Sequence, residues 1–105
     1  MKKYYWSALS DDNRHRAIQD TILVVNRYGV LNSFLRCSDL SLGLSIETEE
    51  RYVERLYLDL AGMMTLTGYV DQVDARSSAS CMVLLNLTFL QGTGELEIEN
   101  PGLIE

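Results

Sequence analysis

A chain of 105 residues and 11.9 kDa is one domain's worth. At this size about 65% of the extended surface leaves water on folding, so one core forms without metal or disulfide staples. Hydrophobic residues at 47%, charged residues at 23%, one Pro and seven Gly exclude general disorder, and a net charge of -6 argues against a protein that grips phosphate backbones.

Residues 4–9 combine aromatic content with alternation and predict a first strand. Ser10, Asp11, Asp12 and Asn13 are all N-cap residues, each able to accept from an orphan helix N–H. Behind them Ile18, Ile22 and Val25 recur at helical spacing, with Ala17, Thr21, Val24 and Tyr28 in the adjacent row. This predicts a helix of about five turns, ended by Gly29 in the left-handed C′ position.

From Val30 the period changes to two. Leu31, Ser33, Leu35 and Cys37 are expected on one face of a strand, and Asn32, Phe34 and Arg36 on the other. Ser38-Asp39 is a turn candidate. Leu40, Leu42, Leu44 and Ile46 then alternate with Ser41, Gly43, Ser45 and Glu47. One face is core; the other is small and polar, either solvated or covered by another backbone at close range.

Thr48 is expected to cap a second helix, with Glu49 and Glu50 in its first turn, where the dipole favours acids. Val53, Leu56, Leu60 and Met63/Met64 form its apolar stripe, and Glu47–Arg51 and Arg55–Asp59 are opposite-charge pairs at i, i+4. Residues 65–73 predict another strand, residues 74–80 a polar loop, and Cys81 to Leu90 a long strand. Gln91-Gly92-Thr93-Gly94 turns the chain; it lacks a Lys and precedes a strand, unlike a phosphate loop. Residues 95–99 alternate acid and aliphatic as a half-exposed strand does, and Asn100-Pro101-Gly102 stops it.

The predicted order is β–α–β–β–α–β followed by a hairpin: a single ferredoxin-like α+β two-layer sandwich over 1–73, a loop over 74–80 and a C-terminal hairpin extension over 81–105. The first 70 residues resemble ACT-type regulatory domains in this order and in helix length. The resemblance implies a small-molecule effector in the loop between the first strand and first helix. In ACT domains that loop usually carries a Gly; here it is Ser10, Asp11, Asp12 and Asn13, the candidate ligand-binding residues.

Few residues point to chemistry. Cys37 and Cys81 lie in no CxxC and far from His15, so no zinc set is available, and both read as reduced, buried thiols. Met1-Lys2-Lys3 is followed by no apolar signal segment, and no stretch approaches 18 apolar residues, so a cytoplasmic chain without membrane contact is expected. Asp11, Asp12 and Asp39 read as caps and turns rather than cation ligands. His15, between Arg14 and Arg16, falls off the apolar stripe, and no nucleophile–base constellation follows from one histidine. Residues 1–55 hold 8 basic and 8 acidic residues, residues 56–105 one and seven. Tyr4, Tyr5 and Trp6 read as sheet residues, and no aromatic pair for base stacking accompanies them.

The most informative pattern is in the strand from Cys81 to Leu90. Met82, Leu84 and Leu90 stand opposite Val83, Leu85, Leu87 and Phe89. A strand apolar on both sides needs burial on both sides; two helices cover one, and a second copy of the chain is the simplest cover for the other. Met82, Leu84 and Leu90 are therefore the expected interface of a homodimer or larger homo-oligomer. The functional expectation is a non-enzymatic regulatory or small-ligand-binding module, with no cofactor, metal or nucleic acid. The alternatives are a small enzyme with an inter-subunit site, drawing on Asp11, Asp12, His15, Tyr5 or Tyr69, or a protein–protein adaptor using the acidic half.

Overall fold

The computed structural model describes residues 1–36, 38, 40–68, 70 and 73–90. The elements are β1 (Lys2–Ser10), α1 (Arg14–Tyr28), β2 (Gly29–Arg36), β3 (Ser41–Glu49), a 3-10 turn (Glu50–Tyr52), α2 (Val53–Ala61), β4 (Thr65–Gly68) and β5 (Ser80–Phe89). This is an α+β domain with two helices and a five-stranded mixed sheet in the order β2-β3-β5-β1-β4. β5 pairs parallel with β1 and antiparallel with β3; β2–β3 and β1–β4 are antiparallel. The expected strand over 95–99 lies outside the described residues.

The strand order does not by itself establish the ferredoxin-like arrangement. The strand expected to begin an appended hairpin is the middle of the sheet. The physical reason lies in its composition. Cys81, Val83, Leu85, Leu87 and Phe89 are buried to 1% exposure or less beneath the helices. So apolar a strand is best satisfied where both edges are paired and one face is covered. Opposite them Met82, Leu84 and Thr88 are half-buried and Asn86 is exposed.

Both helices and the inner residues of β1, β3 and β5 form one core. Asn13 caps α1, its Oδ1 accepting from Arg16 N–H at 2.9 Å. Of the two apolar rows on α1, Ala17, Thr21, Val24 and Val25 are the buried set, while Ile18 and Ile22 are half-buried at the flank. On α2 Val53, Leu56 and Leu60 are fully buried, and Trp6 meets Tyr57 edge-on at 5.1 Å between centroids.

Several local expectations are corrected. Thr48 is not a helix cap. It is buried in β3, opposite Cys81 and Gly29, and its hydroxyl donates to Tyr28 O at 2.6 Å. The helix therefore starts later, at Val53, and Glu50 turns inward. Gly29 is extended (φ -171°) rather than left-handed, opening β2 where the Glu47 carbonyl lies too close for a Cβ. The pair Arg51–Glu49 (2.6 Å) replaces Arg51–Glu47, because Glu47 lies in the strand and accepts from Asn32 Nδ2 at 3.2 Å. Asp59 instead takes Tyr28 Oη at 2.6 Å and Arg27 at 3.4 Å, tying α2 to the end of α1.

The expected faces of β2 are also corrected. Its register with β3 shifts between Leu31 and Ser33, a β-bulge at Asn32. Leu31 and Phe34 oppose the inward-facing Ile46 and Leu44, whereas Ser33 and Leu35 oppose Ser45 and Gly43 on the other face. One extra residue reverses every assignment beyond it. The strand expected over 65–73 is described only to Gly68, and Tyr69 lies outside the described residues.

Candidate functional site

The helices leave one side of the sheet uncovered, and cross-strand register arranges that side in four rows. The first reads Val30, Glu47, Met82, Lys3; the second Ser33, Ser45, Leu84, Tyr5. The third reads Leu35, Gly43, Asn86, Ser7, Thr67; the fourth Ser41, Thr88, Leu9, Thr65. Among these described rows charge is confined to the first. The middle two enclose a groove of about 500 Å³. Its floor is Leu84 and Asn86 of β5 with Gly43 and Ser45 of β3, and its flanks are Tyr5 and Ser7 on one side, Ser33 and Leu35 on the other.

The sequence makes this shape directly. Tyr5 and Leu35, 66% and 69% exposed, stand up from the outer strands. Gly43 and Ser45, between them, keep the floor low. Ser45 Oγ lies 3.2 Å from Met82 Sδ, the outward-facing neighbour of Leu84 two positions earlier on β5. Tyr5 is the sole titratable side chain among the residues that line the groove. The remaining polar groups are hydroxyls and one amide, suited to orienting an uncharged ligand rather than to moving protons.

A second polar cluster lies inside the fold. Glu50 is buried, and its Oε2 accepts from Lys2 Nζ at 2.8 Å, from Asp74 N–H at 2.9 Å and from Tyr4 Oη at 3.4 Å. The lysine bond, then the backbone N–H, hold its carboxyl below the ordinary range despite burial. The same carboxylate raises the Lys2 amine. Burial raises the Tyr4 phenol and pushes the Cys81 thiol up to about 11, with the Glu50 charge adding to both. A thiol so placed is a packing group, not a nucleophile. The cluster pins the N-terminal strand and the loop after β4 to the 3-10 turn, assisted by Glu50 N–H to Ala79 O and Arg51 N–H to Ser77 O, both 2.9 Å.

The candidate ligand loop is engaged in its own turn. Ser10 is buried and its Oγ accepts from Asp12 N–H at 3.2 Å; Asp12 Oδ1 accepts from Asn13 N–H at 2.8 Å; Asn13 caps α1. Of the four, Asp11 lines a cavity of about 350 Å³ at the end of the sheet, with Leu9, Ala61, Met63, Met64, Thr65 and Leu90. Of the interface candidates, Met82 and Leu84 share the uncovered face, while Leu90 follows β5 and lines that end cavity. His15 is exposed on α1, apart from both cavities. Sequence reasoning missed Leu35 and Ser33 as partners of Leu84 because the bulge at Asn32 is not written in the alternation.

Among the described residues no group of His, Cys, Asp or Glu is placed to hold a metal, and no helix is long and apolar enough to cross a membrane. No family model, curated protein or solved structure matches the chain.

Proposed function

We propose that the chain is a non-enzymatic small-ligand-binding or regulatory module whose site is the groove on the uncovered sheet face, and which self-associates through its sheet. The observation that carries this reading is the uncharged, glycine- and serine-floored groove between Tyr5 and Leu35, in a face otherwise edged by Lys3 and Glu47. A flat, largely apolar ligand with one or two hydrogen-bonding groups matches it; Asn86, Ser7 and Ser45 supply the partners. The ferredoxin-like reading is part of this proposal. In a split βαβ unit, two parallel strands joined by a helix are parted by another strand. Here β1 and β2 are parted by both β3 and β5, so setting β5 aside leaves the order β2-β3-β1-β4.

The test uses a variant that fills the site without disturbing the fold. A Cβ at Gly43 would meet nothing nearer than the Leu35 carbonyl at 3.8 Å, so Gly43→Leu fits the backbone and occupies the groove. Two-dimensional amide NMR with a panel of uncharged aromatic and heteroaromatic compounds should move the Tyr5, Gly43, Leu84 and Asn86 signals. Gly43→Leu should abolish those shifts and keep the melting temperature. Shifts that survive Gly43→Leu, or that cluster around Asp11 and Leu90 instead, would remove the groove as the site.

A further inference from the structure

β2 is an edge strand of eight residues, and among the described residues no strand lies on its outer side. Natural edges are commonly blunted by lysine, proline or inward charge. β2 contains no Lys, Asp, Glu or Pro and a single charge, Arg36 at its end, and its Val30, Phe34 and Leu35 are 62%, 64% and 69% exposed. The bulge is the informative feature. Val30, Ser33 and Leu35 face the open side by register, and Asn32 joins them, since its amide reaches Glu47. Leu31 and Phe34 face the helices. From Val30 to Leu35 the strand therefore reads out, in, out, out, in, out, the same from either end. Its chemistry reads the same way: two apolar residues, two polar, two apolar.

We propose that a second copy of the chain pairs antiparallel with β2 about a two-fold axis between Asn32 and Ser33. Val30 then lies opposite the partner's Leu35 on the open face, and Leu31 opposite the partner's Phe34 on the helix face. Edge bulges often hinder pairing; this one sits at the symmetry centre, where it sets like faces together. Val30, Phe34 and Leu35 leave on the order of 300 Å² of apolar surface per chain. With the backbone edge, a symmetric pair buries under about 1,200 Å², the range of weak, concentration-dependent dimers. The pairing also completes the groove: its β2 flank, Ser33 and Leu35, gains the partner's Asn32 and Val30 as an outer wall. In that respect the inference rests on the groove being the ligand site.

The experiment combines mass and register. Sedimentation at about 100 µM should give twice 11.9 kDa, and Leu35→Arg, a change at an exposed side chain, should give a folded single chain. In a Cys37→Ser background, oxidising a mixture of Val30→Cys chains and Leu35→Cys chains should yield at least ten times more cross-linked dimer than either chain alone, because the register sets 30 opposite 35. A single-chain mass, a dimer that persists in Leu35→Arg, or cross-linking of the Leu35→Cys chain to itself would each overturn the proposal. Cross-linking and compound binding, measured on the same chain, separate the two readings. If the cross-link forms and no compound binds the unmodified groove, the ligand site fails and the dimer stands; if compounds bind a single chain, the reverse holds.

Discussion

The two faces of the sheet are made from alternate residues of the same strands, yet they answer to different pressures. On β5 the inner residues Val83, Leu85 and Leu87 are sealed under α1 and α2, while Leu84, one position away, is half-buried beside Tyr5 and Ser45. The inner face is aliphatic and sealed, while the outer mixes Leu84, Met82 and Leu35 with Ser45, Gly43 and Asn86 and lies under neither helix. The inner face belongs to the folding of this chain; the outer face, uncovered among the described residues, is the one proposed above for recognition. Apolar surface kept in contact with water in this way is what marks binding faces.

The contrast can be broken most sharply by truncation. Leu85→Ala should cost about 2–5 kcal/mol in urea unfolding, as deletions in sealed cores do, while Leu84→Ala should cost under about 1 kcal/mol in a single chain. Equal costs at the two positions would mean that the outer face is itself buried in solution. The next effect concerns the point where β4 meets the core. Gly68 has φ +151°, and a Cβ there would run into the Trp6 ring. Gly68→Ala should lower stability by about 1–3 kcal/mol and alter the near-ultraviolet tryptophan signal; an unchanged melting temperature would contradict that packing.

The smallest effect is spread over pH and belongs to the sealed side. The Glu50 carboxyl is held below its ordinary 4.5, so the folded state prefers it ionised. Its contribution is fully present above that value and is lost as pH falls through the lower folded one. Acid unfolding should therefore soften between pH 4.5 and lower values, and Glu50→Gln should flatten that part of the profile. At the other end, the Lys2 amine and Tyr4 phenol are raised above 10.5 and 10.0, so their share of stability is present below those values and lost above them. Groove variants such as Gly43→Leu should leave both limbs unchanged, since the Glu50 cluster lies on the other side of the sheet. A groove variant that shifts the acid limb would show the two faces to be coupled.

The legible and illegible parts of the fold divide along the same line. Local periodicity placed both helices and the strands of residues 2–10, 41–49 and 80–89 close to where they lie, because burial on one face imposes period two or 3.6 on the chain. The cap at Asn13 was legible for the same reason, as a short-range hydrogen bond between neighbours. The bulge at Asn32 was not. It depends on how β2 meets β3, two strands whose fit no single stretch of sequence records, and it decides that Leu35 rather than Phe34 flanks the groove. Thr48 misled because a good capping residue is also a good strand residue, and the Tyr28 carbonyl that captures its hydroxyl is 20 residues away.

The amino-acid sequence alone determined that this chain is an α+β domain with two amphipathic helices, that the stretch from Cys81 to Leu90 is partly apolar on both sides, and that a face of Ser41, Gly43 and Ser45 stays small. Those properties are set by residue type and short-range spacing. Only the tertiary structure decided that β5 enters between β3 and β1, which side chains gather around Leu84, and that Glu50 turns inward to Lys2 and Asp74. Each of these depends on pairing between segments distant in the chain, where competing registers satisfy the local pattern equally well and only the packing of the whole core selects one.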